Sequence, residues 1–217
     1  MILHAKFQIM FDSYQLYLFC ITSVLLALTP GPDILTVVAR GISQGRKSAL
    51  VAAVGFSLGC LNHTMILVLG MAALLKASPT AFSVIKYLGG AYLVYIGIQM
   101  FRHRKHLLAP RANMETNLKK VFIQSILANL LNPKVALFFL AFLPQFVNPE
   151  FGHQSLQLFC LGIIFMLVTL AVFIIMGLFA GTVGNRLKEH PKIFSGMQGL
   201  TGIFLIGLGL RLALQKL

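Results

Sequence analysis

Long apolar runs that are almost free of charge constrain this chain more than any motif does. Hydrophobic residues make up 58% of its 217 positions and charged residues only 11%, and the mean hydropathy is +0.85. A soluble domain carries about 25% charged residues. A small soluble core could not bury this much apolar surface, so the composition predicts an integral membrane protein.

Six of these runs reach the length of about 20 predominantly apolar residues that a helix needs to cross a bilayer. The connectors between them are short, except for one basic stretch after the third run. We therefore predict an all-α membrane protein with a single transmembrane domain over residues 1–217. The six predicted spans are residues 14–38, 48–75, 82–101, 121–147, 156–180 and 193–214.

The basic residues predict an orientation. Lys and Arg number 18 against 5 Asp and Glu, and most of them lie in the connectors after the first, third and fifth spans. An excess of Lys and Arg marks cytoplasmic loops, so both termini are predicted to be periplasmic. In a soluble protein this charge would suggest a nucleic-acid partner. Because the basic residues lie between apolar runs, we instead predict contact with membrane lipid and no nucleic-acid partner.

The N-terminal segment shares some features with a cleaved signal peptide. Lys6 precedes the apolar run at residues 16–28, but Asp12 interrupts the approach and no A-x-A site follows. We therefore predict that this run is retained as the first span. Residues 1–9 contribute little to any span, so Met10 is an alternative start.

Proline interrupts the first and fourth spans. The first is broken by "TPGPD" and the fourth by "NLLNPK", about a hundred residues later. Proline removes a backbone donor and clashes with the preceding turn of a helix. Two units of three spans each must have opposite orientations, because an odd number of crossings reverses the second unit. The pattern predicts two inverted three-helix repeats with helices 1 and 4 broken at proline, a recurring plan of secondary transporters.

Opposite charges follow the two breaks. Asp33 comes after Pro32, where the start of the resumed helix favours a carboxylate, and Lys134 comes after Pro133. Charged groups within membrane spans rarely face lipid. Three interpretations stay open: an ion pair that locks the two repeats, a site for the two ends of a zwitterion or for the coupled proton, or separate side chains that snorkel to the interfaces.

Further polar side chains lie near the breaks. Asn62 and His63 occupy the middle of the second span, and Asn129 and Asn132 flank the second break. Because histidine titrates near physiological pH, His63 is either a hydrogen-bonded packing residue or a proton relay or substrate contact. The predicted substrate-binding and coupling residues are Pro30, Gly31, Pro32, Asp33, Asn62, His63, Asn129, Asn132, Pro133 and Lys134.

Motifs for enzymatic chemistry are absent from the sequence. It contains no HExxH, GxSxG or Walker loop, and the membrane region has no paired carboxylates. Cys20, Cys60 and Cys160 lie inside apolar segments without a CxxC motif, which favours buried small hydrophobes. We predict a protein that is not an enzyme and that uses no cofactor and no metal.

Three segments together resemble the LysE/RhtB family of bacterial amino-acid exporters, from about residue 14 to residue 214. They are "LTPGPDILTVVARGISQGRKSALVAAVGFSLG", "KYLGGAYLVYIGIQMFR" and "ANLLNPKVALFFLAFLPQFV". The resemblance implies an inner-membrane efflux carrier that uses the proton gradient to expel amino acids or related metabolites. It assigns the family's PGP turn to Pro30–Pro32 and its NPK turn to Asn132–Lys134. Asp33 follows the PGP turn at a position that varies within the family.

We therefore expect an exporter of a small amino acid or derivative, with protons as the coupling ion. A passive channel or uniporter is the alternative within transport, and a membrane scaffold without flux is the alternative outside it. The short loops leave little surface for a soluble partner. Homo-oligomerisation stays open.

Overall fold

In the computed structural model of the protein, the residues described are 11–77, 79–102, 117–180, 182 and 191–214. Helices are the regular elements in this part of the chain, so the all-α class is confirmed. The α-helices are α1 (Ser13–Leu28), α2 (Pro32–Gln44), α3 (Arg46–Ala77), α4 (Pro79–Arg102), α5 (Leu118–Leu130), α6 (Pro133–Leu137), α7 (Gln154–Leu178) and α8 (Pro191–Leu214).

Local sequence signals place several helix ends. The carboxylate of Asp12 accepts a hydrogen bond from the Tyr14 amide at the start of α1, and the Asn117 side chain accepts from the amides of Lys119 and Lys120 at the start of α5. Such side chains satisfy amides that have no partner within the helix. Gly45 separates α2 from α3 with φ of 82°, a conformation that glycine adopts without steric cost.

Two of the described helices are long and apolar enough to cross a membrane on their own, α7 and residues 46–70 of α3. Two bent pairs meet the same requirement jointly: α1 with α2, at 55°, and α5 with residues 133–146, at 46°. Length and composition therefore support two to four spans. By this measure, applied to the described residues, the six predicted spans are not confirmed.

The structure changes the outline of the two broken runs. The first apolar run continues to Gln44, six residues past its predicted end at residue 38. The fourth run loses regular α-helix after Leu137, passing through a π-helical turn at Phe138–Phe142 and a 3-10 turn at Leu143–Phe146. Pro144 lies in the 3-10 turn and cannot supply the amide donor that a regular helix needs there. The alternative start Met10 lies outside the described residues.

Helix α3 is central to the packing. It packs along α7 and α5, α4 packs along α8, and α1 and α2 pack against α7. Glycines allow close approach between them, because a side chain at Gly55 would meet the Phe122 carbonyl at 2.8 Å and one at Gly97 would meet the Gly202 carbonyl at 2.7 Å. Small residues serve this purpose at helix contacts in membranes. The packing brings both breaks to the same part of the molecule.

Candidate functional site: an ion pair between two broken helices

The first break separates α1 from α2. Thr29 ends α1 with ψ of 119°, in line with the extended conformation that a following proline imposes. Gly31 is extended, and Pro32 takes the first position of α2, where no amide donor is needed. Pro30 and Gly31 are buried, whereas Pro32 is exposed. The break therefore presents the start of α2, with Asp33 in its first turn, to the interior.

The second break separates α5 from α6. Asn132 has ψ of 107°, again as expected before a proline, and its side-chain Oδ1 accepts a hydrogen bond of 3.0 Å from the Lys134 amide. Asn132 and Lys134 are buried, and Pro133 between them is exposed. The cap directs the Lys134 side chain into the interior of the protein. Lys134 lies in the second half of the sequence, whereas Asp33 lies in the first.

Asp33 and Lys134 form an ion pair across the two breaks. Lys134 Nζ lies 3.2 Å from Asp33 Oδ1, and the two side chains are only 6% and 5% exposed. Lys134 Nζ also donates to the Thr29 carbonyl, at 3.5 Å. A buried charge is tolerated when it is paired and hydrogen-bonded. Of the three interpretations of these residues, separate snorkelling is wrong, because the side chains meet inside the protein.

Gly31 leaves the space that the ion pair occupies. A Cβ atom at this position would lie 2.8 Å from Asp33 Oδ1 and 2.9 Å from Lys134 Nζ. Both distances are shorter than carbon normally tolerates, so any side chain would displace the charged groups. The glycine of the PGP turn therefore leaves room for the pair at its observed position.

Two amide side chains beside the second break keep unused hydrogen-bonding atoms. Asn129 and Asn132 are 1% and 3% exposed, yet Asn129 Oδ1 and Asn132 Nδ2 find no partner among the described residues. A buried polar atom without a partner costs about 1–3 kcal/mol. One of these atoms is an acceptor and the other is a donor. Together with the ion pair they give a buried cluster that can bind positive and negative polar groups.

Asn62 and His63 occupy different faces of α3. His63 is buried, and its Nε2 lies 3.0 Å from the Asn129 carbonyl, whereas Asn62 is exposed. Consecutive residues of a helix point about 100° apart. The structure therefore brings His63, Asn129, Asn132, Asp33 and Lys134 into one region and leaves Asn62 outside it.

Further contacts of α2, α3 and α5 were not indicated by the sequence. The Asn129 side chain lies over Gly59, and its Nδ2 donates to Cys60 Sγ at 3.8 Å. Arg40, predicted to lie in a connector, is part of α2 and 4% exposed, with a 3.1 Å hydrogen bond to Gln124 on α5. No sequence signal identifies the Thr29 carbonyl, since every residue has one. The spacing of Gly55 and Gly59 was the available signal for the contact with α5.

Aromatic side chains line the segment after the second break. Phe138 stacks near Phe142 and Phe165 with ring centroids 5.0 and 4.9 Å away, and Phe139 lies 5.6 Å from the His63 ring. These rings make the surroundings of the His63 side chain apolar. In the part of the chain described, no three His, Cys, Asp or Glu side chains are grouped to hold a metal ion.

Comparison with known protein families agrees with the PGP and NPK turns at the two breaks. Residues 24–216, which include both breaks, match the family model of the LysE type translocators. The chain belongs to the LysE type translocator family. The predicted family is thus confirmed, and the protein is a membrane translocator of this family.

Three relatives carry only general names. An "Uncharacterized membrane protein" of Vibrio cholerae is 32% identical over 91% of this chain and 96% of its own length. Similarly named proteins of Pseudomonas aeruginosa and Bacillus subtilis are 33% and 28% identical, each over 89% of this chain and over 92% and 95% of their own lengths. No solved structure matches the chain significantly. The relatives support a membrane protein and name no substrate.

Proposed function

We propose that this LysE type translocator exports amino acids or related small metabolites across the bacterial inner membrane in exchange for protons. The observation that carries the proposal is the buried Asp33–Lys134 pair, which joins the two helix breaks at 3.2 Å. An amino acid carries one ammonium and one carboxylate group. Asp33 offers a partner to the first of these groups and Lys134 to the second, so a bound substrate would replace the ion pair.

The amides beside the pair suit the same substrate class. Asn129 Oδ1 can accept from an ammonium or hydroxyl group, and Asn132 Nδ2 can donate to a carboxylate. Both atoms lie next to the break whose turn carries Lys134. A site that is polar at its centre and bordered by phenylalanines is suited to a small zwitterion.

We further propose that the chain crosses the membrane six times as two inverted repeats. Gly97 faces Gly202 while Gly90 faces Gly209, so α4 and α8 run in opposite directions. The same holds for α3 and α7, because Gly162 faces Thr64 while Gly177 faces Ala49. With 24 residues each, α4 and α8 extend about 36 Å, enough to cross the hydrocarbon core.

This packing matches a pseudo-twofold axis in the membrane plane. The second span would pair with the fifth, the third with the sixth, and the break of the first with the break of the fourth. Transporters with inverted repeats bind substrate where such breaks meet. Substrate would enter from the cytoplasm, bind at the ion pair and leave to the periplasm as protons enter, with both termini periplasmic.

Efflux measurements test the proposal. Cells that overproduce the protein are loaded with amino acids, and export is followed with and without an uncoupler. We expect uphill export of at least one amino acid that the uncoupler stops, and its loss in Asp33→Asn and Lys134→Ala proteins that still insert. Glu150→Gln and Lys119→Ala, which alter exposed charges, serve as matched controls and keep wild-type export.

Other outcomes distinguish the alternatives. Export that only follows the concentration gradient and ignores the uncoupler would indicate a channel or uniporter. Wild-type export by both charge variants would reject the role of the pair in coupling. An absence of flux for every amino acid and related metabolite would contradict the proposed export.

A further inference from the structure

Pro133 deprives one backbone carbonyl in α5 of its helical donor. In a continuous helix the amide of residue 133 would donate to the Asn129 carbonyl, but proline has no amide hydrogen and its ring clashes with that carbonyl. The Asn129 carbonyl instead accepts from the Asn132 amide at 2.9 Å and lies 3.0 Å from His63 Nε2. Because a carbonyl oxygen only accepts hydrogen bonds, His63 Nε2 carries the hydrogen.

We propose that His63 is a positioning residue that holds the second break in place by donating, beside the Asn132 amide, to the carbonyl that Pro133 leaves without its helical donor. His63 belongs to α3, 66 residues before Asn129, and its side chain is buried beside Phe139. In these surroundings water does not replace the hydrogen bond easily. The bond fixes the end of α5 against α3 and thereby sets where the following turn places Lys134.

The first break is held in a similar way. Lys134 Nζ donates to the Thr29 carbonyl at the end of α1, besides pairing with Asp33. Each break therefore receives a donor from a helix outside it: the second from His63 and the first from Lys134. A movement of the second break requires the His63 bond to open, and this movement would shift the group that stabilises the first.

We call the hydrogen bond between His63 and the Asn129 carbonyl the latch. The accessibility of Cys60 reports directly on whether this bond is closed. Cys60 lies on α3 one turn before His63, its side chain is 0% exposed, and its Sγ contacts the Asn129 amide at 3.8 Å. If the end of α5 leaves α3, the thiol becomes accessible. The other cysteines, Cys20 and Cys160, are partly exposed and can be removed by substitution with alanine.

The experiment measures the rate of maleimide labelling of Cys60 in membranes that contain the Cys20→Ala/Cys160→Ala protein. We expect His63→Phe or His63→Met to raise the rate about tenfold, the effect of losing one buried hydrogen bond. His63→Gln retains an N–H donor and should restore most of the protection. Ser57→Ala is the matched control: among the described residues the Ser57 hydroxyl bonds only to the Ala53 carbonyl within α3, and we expect its loss to leave labelling unchanged.

A second substitution separates this role from general packing. Pro133→Ala restores an amide at residue 133 and allows α5 to continue, so the Asn129 carbonyl no longer depends on His63. In this background His63→Met should change labelling by less than about twofold. Equal acceleration with and without Pro133→Ala would overturn the proposal, as would His63→Gln labelling as fast as His63→Met.

The labelling readout requires no substrate, so it stands apart from the export proposal. Only the contribution of the latch to transport rests on the proposed function. Suppose that no export is found, but that His63→Met accelerates labelling only when Pro133 is present: the positioning role of His63 then holds and the export proposal falls. If export is found but His63→Met accelerates labelling equally with and without Pro133→Ala, the export proposal holds and the positioning role falls.

Discussion

At the first break the chain uses two prolines around a glycine, whereas at the second it uses one proline after an asparagine. Helix α2 begins at Pro32, follows Gly31 without a side-chain cap and has Asp33 in its first turn. Helix α6 begins with the Asn132 side chain bonded to the Lys134 amide. The bends are similar, 55° and 46°. The same geometry is thus reached with an acid at one break and a capped base at the other.

The contrast between an acid and a base shows that the two breaks are not independent. A carboxylate in the first turn of α2 is favoured by the helix dipole, whereas a cation in the first turn of a helix is disfavoured. Lys134 is therefore stable at its position because Asp33 and the Thr29 carbonyl surround its ammonium group. The second break depends electrostatically on the first.

The largest expected effect comes from breaking the ion pair on one side only. Asp33→Asn or Lys134→Met leaves one buried charge without a partner, at a cost of about 3–5 kcal/mol in folding free energy. The double variant Asp33→Asn/Lys134→Met removes both charges and should regain most of this stability. Thermal unfolding in detergent micelles compares the stability of the wild-type protein, the two single variants and the double variant.

Efflux by the double variant distinguishes a functional ion pair from a purely structural one. If the pair binds substrate or moves protons, the double variant is stable and inactive. A double variant that exports at the wild-type rate would show that the pair only locks the repeats together. A double variant as unstable as either single variant would contradict the dependence of the second break on the first.

An intermediate effect is expected at Gly31. Gly31→Ala places a methyl group against Asp33 Oδ1 and Lys134 Nζ, and such overpacking costs about 1–3 kcal/mol. Gly70→Ala is the matched control, since nothing lies within 4 Å of a Cβ atom at that helical position. Both variants are compared by thermal unfolding and by efflux. Equal behaviour of the two variants would show that the first break can move aside.

The smallest effect is expected from removing the cap at the second break. Asn132→Ala loses the hydrogen bond to the Lys134 amide, at a cost of about 1 kcal/mol, and Asn132→Ser retains a capping hydroxyl. Asn117→Ala removes the corresponding cap of α5 at an exposed position. We expect both alanine variants to lose similar stability in thermal unfolding and only Asn132→Ala to lose efflux. Reduced efflux in Asn117→Ala as well would contradict a specific role for the second cap.

Much of the fold could be predicted because it depends on local sequence. Apolar runs of spanning length indicated where the helices lie, and proline restricts its own residue and the preceding one, so the breaks were predictable. Gly55 and Gly59, four residues apart on α3, are also a sequence pattern typical of a close helix contact. The end of α2 and the π-helical turn after Leu137 were not predicted, because continued hydrophobicity does not reveal how backbone hydrogen bonds shift.

Within the candidate site, the charged residues were found by their rarity in apolar sequence. The assignment of Asn62 and His63 to the same site could not be refined from the sequence, since neighbours in a helix point in different directions and only packing decides which is buried. Arg40 looked like a connector residue, yet α2 extends past it and buries it. These distinctions depend on helices that are distant in the chain.

A helical membrane protein with two proline breaks follows from the amino-acid sequence alone, which also carries the motifs of the LysE type translocators. Tertiary structure decided that Asp33 and Lys134, 101 residues apart, meet at 3.2 Å. It also decided that His63 supplies a donor to the second break. The reason is physical: a break arises from the covalent geometry of one proline, but the partners of the groups it frees come from other helices.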